Sequence, residues 1–379
     1  MVPSIKAMVQ TLIATPSVSS TVPQFDLSNK PVVDELATWL ESVGFGVQLQ
    51  PVSADERKVN IIATLGQGRD GLLLSGHTDT VPCDEALWQS NPFDLTETDE
   101  RWYGLGVCDM KSFLALCVHA ASQVDVKQLK RPLTILGTAD EESSMNGARI
   151  LDHGQLGAPR FAVIGEPTNL APVTRHKSIA MLGLRLTGSS GHSSDPSLGN
   201  SALNVMGDVI NTIKDVADGL QNFSDNRFAV SFPTLNMGCI HGGDNPNRIC
   251  DHVNLEFDLR LLPGMHENDV LDRLRDRLTE QLAPTGISAE LDHLHPPVGA
   301  FESGNEEFAD ACEALAEKHQ LAVSFGTEAP FLSQLGINTV VMGPGSINQA
   351  HQPNEFLDVD QITPTVDILR ALIQKYCVD

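Results

Sequence analysis

The sequence lacks the features of several protein classes. It contains only 25 lysine and arginine residues against 49 acidic ones, which gives a formal net charge of -24. Nucleic acids and anionic membranes are bound through basic patches, so this charge argues against both kinds of partner. The N-terminal segment MVPSIKAMVQTLIATPSVSS does not have the pattern of a signal peptide, and no apolar run approaches the ~18 residues of a membrane span. We therefore expect a cytoplasmic protein.

The cysteines argue against a disulfide framework and against a metal site built on thiolates. The seven cysteines are odd in number and form no C-x-x-C pair. Most lie among apolar neighbours, which is typical of reduced, buried thiols rather than of a disulfide framework or a zinc–thiolate site. A metal site in this chain would therefore have to use histidine and carboxylate ligands.

Two patterns of secondary structure divide the 379 residues, a length that favours two domains over one. Residues 1–177 and 292–379 alternate helical stretches, such as 31–45 and 110–124, with short apolar strands that end in polar residues. Apolar strands without alternation, separated by helices, predict an α/β domain with a central, mainly parallel sheet flanked by helices.

Residues 178–291 follow a different order. A strand-like run at 178–188 precedes a helical pattern at 202–220, and then come two strand-like runs, a second helix and a short strand. The order β-α-β-β-α-β is that of a ferredoxin-like unit. We predict that this small domain is inserted into the larger, discontinuous one.

Acidic residues and histidines end or follow the apolar strands of the larger domain, and one more acidic residue, Asp109, opens a helix. The strand-end residues are His77, Asp79, Asp140, Glu141, Glu142, Glu166 and His351. Ligands of such sheets bind beyond the carboxyl ends of the strands. If the strands are neighbours, these carboxylates repel one another and their pKa values rise unless a cation compensates. The joint pattern predicts a site for one or two divalent cations.

Taken singly, these residues have simpler interpretations. Asp109 at a helix start would be an N-cap, and His351 would be a plain loop residue. Strand residues i and i+2 project to the same side, so His77 and Asp79 share one site only if the strand continues that far. The occurrence of such residues at every strand end, on one edge of a sheet, favours the metal site.

Zinc chemistry suggests roles for the cluster. Zinc accepts imidazole and carboxylate ligands, and two ions about 3.5–4 Å apart can bind an attacking and a developing oxygen. Asp109, by its isolated position, is the best candidate for a bridging carboxylate. Of the adjacent pair Glu141 and Glu142, one would bind metal and the other would act as the base. Asp79 would orient the His77 ring.

Several motifs resemble those of a known enzyme family. They are SGHTDTVP, YGLGVCDMKS, TADEESSMNGAR, VIGEPT, GHSSDP, GGDNPNRIC, DLRLLPG and GPGSINQAHQPNEF. These motifs are distributed over nearly the whole chain, which resembles the acetylornithine deacetylases. These belong to the zinc-dependent deacylases and peptidases that include succinyl-diaminopimelate desuccinylase and a glutamate carboxypeptidase. The resemblance implies a zinc-peptidase-like catalytic domain and hydrolysis of N2-acetyl-L-ornithine to L-ornithine and acetate, in arginine biosynthesis.

The resemblance also implies a ligand set for two zinc or cobalt ions. His77 and Glu166 would bind one ion, Glu142 and His351 would bind the other, and Asp109 would bridge them. The remaining alternatives are other activities with the same metals, namely desuccinylation, dipeptide hydrolysis or deacylation of a related N-acyl amino acid.

Further roles follow from the same resemblance. Glu141 matches the general base and Asp79 the acid that orients the histidine. His192 matches an oxyanion donor that enters the partner's active site, because family members pair through the inserted domain. That domain is therefore expected to act in dimerisation and as a lid. The candidates for binding the substrate carboxylate are Lys177, Asn247, Arg260, Gly345 and Ser346.

Two hypotheses from other functional classes remain. Gly104-Leu105-Gly106 suggests a dinucleotide-dependent oxidoreductase, but the third glycine of G-x-G-x-x-G is absent. A catalytically inactive binding protein is the other alternative. Cys108 stands where the family often has a small residue such as alanine, and we expect it to make the enzyme sensitive to thiol reagents.

Overall fold

The computed structural model describes residues 2–379 and divides into two compact units. The first unit comprises Met1–Thr174, Ser303–Leu321 and Thr327–Asp379, and the second comprises Arg175–Glu302 and Ala322–Gly326. The expected insert, 178–291, lies within the second unit. None of the helices formed by residues 2–379 combines the length and the apolar character that a bilayer span requires.

The elements are numbered along the chain. The helices of the described residues are α1 (Ile5–Ile13), α2 (Lys30–Val43), α3 (Lys111–Ser122), α4 (Asn146–Arg149), α5 (Ala202–Leu220), α6 (Glu267–Leu282), α7 (Glu306–Ala316), α8 (Ala329–Gln334) and α9 (Ile362–Ile373). The strands are β1 (Gly46–Pro51), β2 (Val59–Leu65), β3 (Leu72–His77), β4 (Thr96–Thr98), β5 (Arg101–Tyr103), β6 (Leu133–Thr138), β7 (Phe161–Pro167), β8 (Val173–His176), β9 (Ala180–Thr187), β10 (Thr234–Gly242), β11 (His252–Arg260), β12 (Ser288–His293), β13 (Phe301–Glu302), β14 (Leu321–Val323), β15 (Asn338–Gly343) and β16 (Phe356–Asp358).

The first unit is built on a mixed sheet. Its centre is parallel, in the order β6-β3-β7-β15. Most of the polar residues singled out in the sequence lie at the ends of these four strands or in the loops that follow them, whereas Asp109 follows β5, which belongs to a separate sheet. β2 pairs with β6 and β1 pairs with β2, both antiparallel. The prediction of an α/β fold with flanking helices is confirmed. The parallel arrangement, however, is limited to the centre of the sheet.

Helix α3 is the most deeply buried helix of the first unit. It packs against α1, α2, α9 and the sheet, and it is apolar around most of its circumference, as a helix covered on several sides must be. Phe113 of α3 lies directly over Gly165 of β7, where a Cβ atom would come within 2.0 Å of the ring. The glycine therefore lets the helix approach the strand that carries Glu166.

The second unit has the predicted β-α-β-β-α-β order. Its sheet has the order β10-β11-β9-β12, with all three pairs antiparallel. Residues of β9 alternate between buried and exposed, and the buried side packs with α5 and α6. In α5 the predicted apolar stripe is buried at Val209, Ile213 and Val216. This is the ferredoxin-like arrangement expected from the sequence.

Candidate metal centre

The parallel strands bring His77 and Glu166 to one edge of the sheet. β3 ends at His77, and β7 carries Glu166 one residue before its end. β3 lies between β6 and β7, so the loops that follow these three strands meet at the same edge. Both side chains are buried there.

Asp109 lies between the two histidines. Its Oδ1 atom is 3.0 Å from His77 Nε2, and its Oδ2 atom is 4.0 Å from His351 Nε2. His351 Nε2 is also 2.9 Å from Glu142 Oε2. This is the position that a bridging carboxylate would occupy.

Two triads of side chains could each hold an ion. Ligand atoms of His77, Glu141 and Glu166 lie within 4.8 Å of one another, as do those of His77, Asp109 and Glu142. The first triad includes Glu141, which the resemblance assigns to the base rather than to a ligand. Both triads offer only imidazole nitrogen and carboxylate oxygen, which are donors that zinc and similar divalent metals accept.

The charge state of the centre supports the fit to cations. Burial raises the pKa of Glu141 and of Glu166 well above the ordinary value, and the neighbouring carboxylates raise both further. Burial and the charge of Asp109 also raise the pKa of Glu142. Carboxylates crowded into a dry site favour protonation unless cations are bound among them.

The hydrogen bonds of His77 also favour a bound cation. Its Nδ1–H donates to the backbone carbonyl of Asp79 at 3.0 Å. A neutral ring would then direct the lone pair of Nε2 at the carboxylate of Asp109, which is a repulsive contact. Burial opposes protonation of the ring, yet the Asp109 and Glu166 carboxylates raise the pKa of His77 well above its ordinary value. A metal ion at Nε2 would remove the same conflict without a proton.

Asp79 holds the site in a way that the sequence did not indicate. β3 ends at His77, so strand alternation does not extend to Asp79. The Asp79 carboxylate lies 3.8 Å from His77 Nδ1 but accepts the backbone N–H groups of Glu141, at 3.3 Å, and of Glu142, at 3.1 Å. Asp79 thus contacts the ring through its carbonyl and holds the acidic loop through its carboxylate.

The sequence reasoning missed two residues that hold the ligand loops. Glu355 accepts backbone N–H groups of the segment that ends at Asp109, and Lys58 pairs with Asp140, the neighbour of Glu141. Glu355 stands inside the motif quoted around His351, so its position in that motif was an available signal. Lys58 follows an exposed loop between β1 and β2, where nothing in the sequence pattern marks it.

Gly345 and Ser346 lie in the first unit, in the loop after β15. The N–H of Gly345 is donated to Gln361 Oε1 at 2.7 Å, so this amide is already used within the chain. The hydroxyl of Ser346 accepts the N–H of Asn348 at 3.3 Å and keeps its own proton available for donation. Of the two, Ser346 is therefore the better candidate for contacting substrate.

Cys108 does not have the character expected of a reactive thiol. It is buried beside Gly345, and its Sγ lies 3.6 Å from the carbonyl oxygen of Ser346. Burial raises the pKa of this thiol well above its ordinary value, and the carboxylates of Glu355 and Asp109 add to the rise. Because the thiolate is the reactive form, the structure argues against the expected sensitivity to thiol reagents.

The other predicted site residues belong to the second unit, where they form two pairs. The N–H of Ser193, next to His192, donates to the carbonyl of Asn247 at 3.0 Å, so these two loops lie together. Lys177 precedes β9 and Arg260 ends β11, and these strands are paired. Burial lowers the pKa of Lys177, and the nearby charge of Arg260 lowers it further.

Comparison with solved structures shows the same fold. A tripeptidase from Staphylococcus aureus matches with a TM-score of 0.76 at 18% identity, over 98% of each chain. A dinuclear metal-binding peptidase of the M20 family from Bacillus subtilis matches with a TM-score of 0.70 at 18% identity, over 97% of this chain and 96% of that one.

Comparison of sequences gives closer relatives. The acetylornithine deacetylase of Pasteurella multocida is 44% identical, over 99% of each chain. That of Photorhabdus laumondii is 43% identical, over 97% of this chain and 96% of its own length. The model of peptidase family M20/M25/M40 matches residues 73–375. Because this model covers most of the chain and both relatives are more than 40% identical over nearly its full length, the chain belongs to peptidase family M20/M25/M40.

Proposed function

We propose that the protein is a metal-dependent hydrolase that removes the acetyl group of N2-acetyl-L-ornithine and releases L-ornithine and acetate. The observation that carries the reaction class is the position of Asp109 between His77 and His351, with Glu141 beside the same cluster. The substrate is taken from the names of the two relatives at 43% and 44% identity. A cytoplasmic role in arginine biosynthesis would follow from it.

The ligands we propose for two divalent ions, zinc or cobalt, are His77, Asp109, Glu142, Glu166 and His351. When bound, such ions lower the pKa of a water molecule from 15.7 to about 7 and polarise an amide carbonyl. The side chains of the other four proposed ligands are largely buried, whereas that of His351 is 55% exposed. His351 therefore faces the side from which substrate would arrive.

Glu141 is the residue that moves the proton. Its carboxylate accepts a proton from the attacking water and returns a proton to the departing amine. Its carboxylate lies within 4.8 Å of the ligand atoms of His77 and Glu166, so the base would stand beside the proposed metal ions. Its backbone N–H is bound by Asp79, so the loop that carries it is anchored independently of any substrate.

The tautomer of His192 is the one that an oxyanion donor needs. The backbone N–H of Ser194 donates to His192 Nδ1 at 3.1 Å, so Nδ1 carries the lone pair. In the neutral ring the proton is then on Nε2, which is the state that donates to a developing oxyanion. We propose that this donor reaches the site of a partner subunit in a homodimer formed through the second unit, which would also act as a lid.

The substrate carboxylate needs cationic, amide or hydroxyl donors, which we assign to Arg260, Lys177, Asn247 and Ser346. Lys177 Nζ now donates to the carbonyl of Phe232 at 2.6 Å, and Arg260 Nε pairs with Asp258 at 2.9 Å. Both cations therefore have a contact that a carboxylate ligand would have to share or replace.

The first experiment measures metal content together with a substrate panel. The purified chain, loaded with zinc or cobalt, is offered N2-acetylornithine, N-succinyl-diaminopimelate and dipeptides, and a chelated sample serves as control. We expect about two ions per chain and the highest kcat/KM on acetylornithine, with activity lost on chelation. Activity that survives complete metal removal would reject the reaction class, whereas a higher kcat/KM on another panel member would replace only the substrate.

The second experiment tests the exchange of His192 between subunits. Glu141→Gln and His192→Ala chains are each expected to be inactive, but their heterodimer contains one site with both residues intact. Mixing should therefore restore part of the activity. Verified heterodimers without recovery would place the donor in its own chain.

A further inference from the structure

Glu355 joins two segments that carry candidate metal ligands. It directly precedes β16, which pairs antiparallel with β5, and the loop that leads to Asp109 begins directly after β5. The carbonyl of Glu355 accepts the N–H of Gly104 at 3.2 Å, which extends this pairing by one residue. His351 lies four residues before Glu355 on the same segment.

The Glu355 side chain then binds the loop itself. Its Oε2 atom accepts the N–H of Gly106 at 2.9 Å, while Oε1 accepts those of Cys108, at 2.7 Å, and Asp109, at 3.0 Å. The loop curls around the carboxylate, with Gly106 at a φ of 81°. Successive backbone N–H groups that converge on one anion form a nest, which fixes the backbone that supplies them.

These hydrogen bonds can form in either charge state of the side chain, and they are stronger when it is ionised. Burial raises the pKa of Glu355 to about 8, and the amide hydrogen bonds oppose that rise. In either protonation state Oε1 retains lone pairs for the N–H groups of Cys108 and Asp109. The backbone of Asp109 is therefore held in both states.

We propose that Glu355 is a positioning residue that fixes Asp109 relative to His351 and thereby sets the affinity of the centre for its metal ions. The inference rests on the proposed function in one respect, namely that the centre binds metal. Asp109 contacts His77 on one side and faces His351 on the other, so a shift of its backbone changes both halves of the centre at once. Groups that orient metal ligands through a hydrogen bond typically contribute 10–100-fold to affinity.

If Glu355 only stabilised the fold, its loss would have a different effect on the unfolding temperature. A buried side chain that satisfies three amide groups stabilises any fold, and its loss lowers the unfolding temperature of metal-free and metal-loaded protein equally. A positioning role lowers metal affinity as well, so the metal-loaded protein loses more stability than the metal-free protein does.

The test compares Glu355→Gln and Glu355→Ala with Asp358→Asn. Asp358 is three residues further along, pairs with Arg101 on the same two strands and does not bind the loop, so its variant is the matched control. Zinc dissociation constants are measured by equilibrium dialysis, and thermal unfolding is followed with and without zinc. In Glu355→Gln an NH₂ donor faces at least one of the three N–H groups, so even this conservative change disturbs the loop.

We expect Glu355→Gln to weaken binding of at least one zinc ion about tenfold or more, Glu355→Ala to weaken it further, and Asp358→Asn to leave it within about twofold of the wild type. If Glu355→Ala does not fold, the Gln variant decides. Wild-type zinc affinity at both sites in Glu355→Gln would overturn the inference, even if its unfolding temperature falls. If the wild type itself bound no zinc, the proposed function would fail, and the inference with it.

Discussion

Lys58 offers a quantitative test of how the loop that carries Glu141 is supported. Its Nζ lies 2.7 Å from Asp26 Oδ1 and 2.9 Å from Asp140 Oδ1, in ion pairs rather than in well-aligned hydrogen bonds. Ser19 Oγ lies 3.0 Å from the same oxygen of Asp140. The change Lys58→Met keeps most of the side-chain volume and removes the charge, which leaves two carboxylates without their counter-ion.

The expected cost follows from burial. Removing one partner of a fully buried ion pair costs about 3–5 kcal/mol. The side chain of Lys58 is only 6% exposed, but those of Asp140 and Asp26 are 14% and 24% exposed, so water partly compensates the stranded carboxylates. We therefore expect the lower end, about 3 kcal/mol, which corresponds to a fall of roughly 6–12 °C in unfolding temperature for a unit of this size.

The dependence on pH has a definite sign. Burial lowers the pKa of Lys58, but the carboxylates of Asp26 and Asp140 outweigh it and raise the pKa above its ordinary value of 10.5. A lysine whose folded pKa is raised contributes stability that is fully present below its unfolded pKa and is lost as pH rises through its folded pKa. The difference in stability between wild type and Lys58→Met should thus be constant near neutral pH and shrink above about pH 10.

Urea unfolding of metal-saturated protein, followed by circular dichroism, provides the assay. Asp140→Asn keeps the shape of the side chain, and asparagine tolerates the positive φ of 60° at this position. The double variant should be more stable than Lys58→Met plus Asp140→Asn would be if their effects simply added, because it no longer strands a charge at Asp140. A Lys58→Met protein within about 0.5 kcal/mol of the wild type, or strictly additive effects, would refute the reasoning.

Three further predictions test separate parts of the structure. Glu141→Gln should retain its metal ions and lose about 10²–10⁴-fold in kcat, and a fully metallated, active variant would exclude Glu141 as the base. Gly165→Ala places a Cβ atom 2.0 Å from the Phe113 ring, so urea unfolding should show a loss of about 1–3 kcal/mol that Phe113→Leu in the same chain partly restores. Cys108 should react with a thiol reagent far more slowly than the exposed Cys239 in folded protein, and mass spectrometry showing the reverse order would contradict its burial.

The strands and helices that position the centre could be predicted because their patterns are local. The run Leu72–Leu74 is wholly apolar because β3 is covered on both faces. The helix predicted at 31–45 corresponds to α2, but Gly44, at a φ of 105°, ends it earlier than predicted. The antiparallel strands β1 and β2 at the edge of this sheet were not predicted. β1 has mostly exposed side chains, so its sequence has no apolar run to mark it, and only its pairing with β2 shows that it is a strand.

The roles of individual site residues were harder to predict because they depend on where a strand ends and on contacts distant in sequence. The spacing of His77 and Asp79 suggested a shared face, but the chain leaves the strand at His77, and the carboxylate of Asp79 turns to the amides of Glu141 and Glu142 instead. Glu355 meets its amide partners across nearly 250 residues of sequence, a separation at which no periodicity operates. Contacts of this kind are set by tertiary structure alone.

The same chemistry recurs at each of these supporting contacts. Asp79 and Glu355 are carboxylates that bind the backbone N–H groups of Glu141, Glu142 and Asp109, and they do not rely on the side chains of those residues. Such contacts occupy none of the ligand oxygens and hold the loops at a fixed separation even though the ligand carboxylates repel one another. The backbone anchors therefore resist the repulsion before any cation is bound, and each ion that enters gains affinity because the protein has already ordered its ligands. A centre held only through its ligand side chains would have to break those contacts to bind metal.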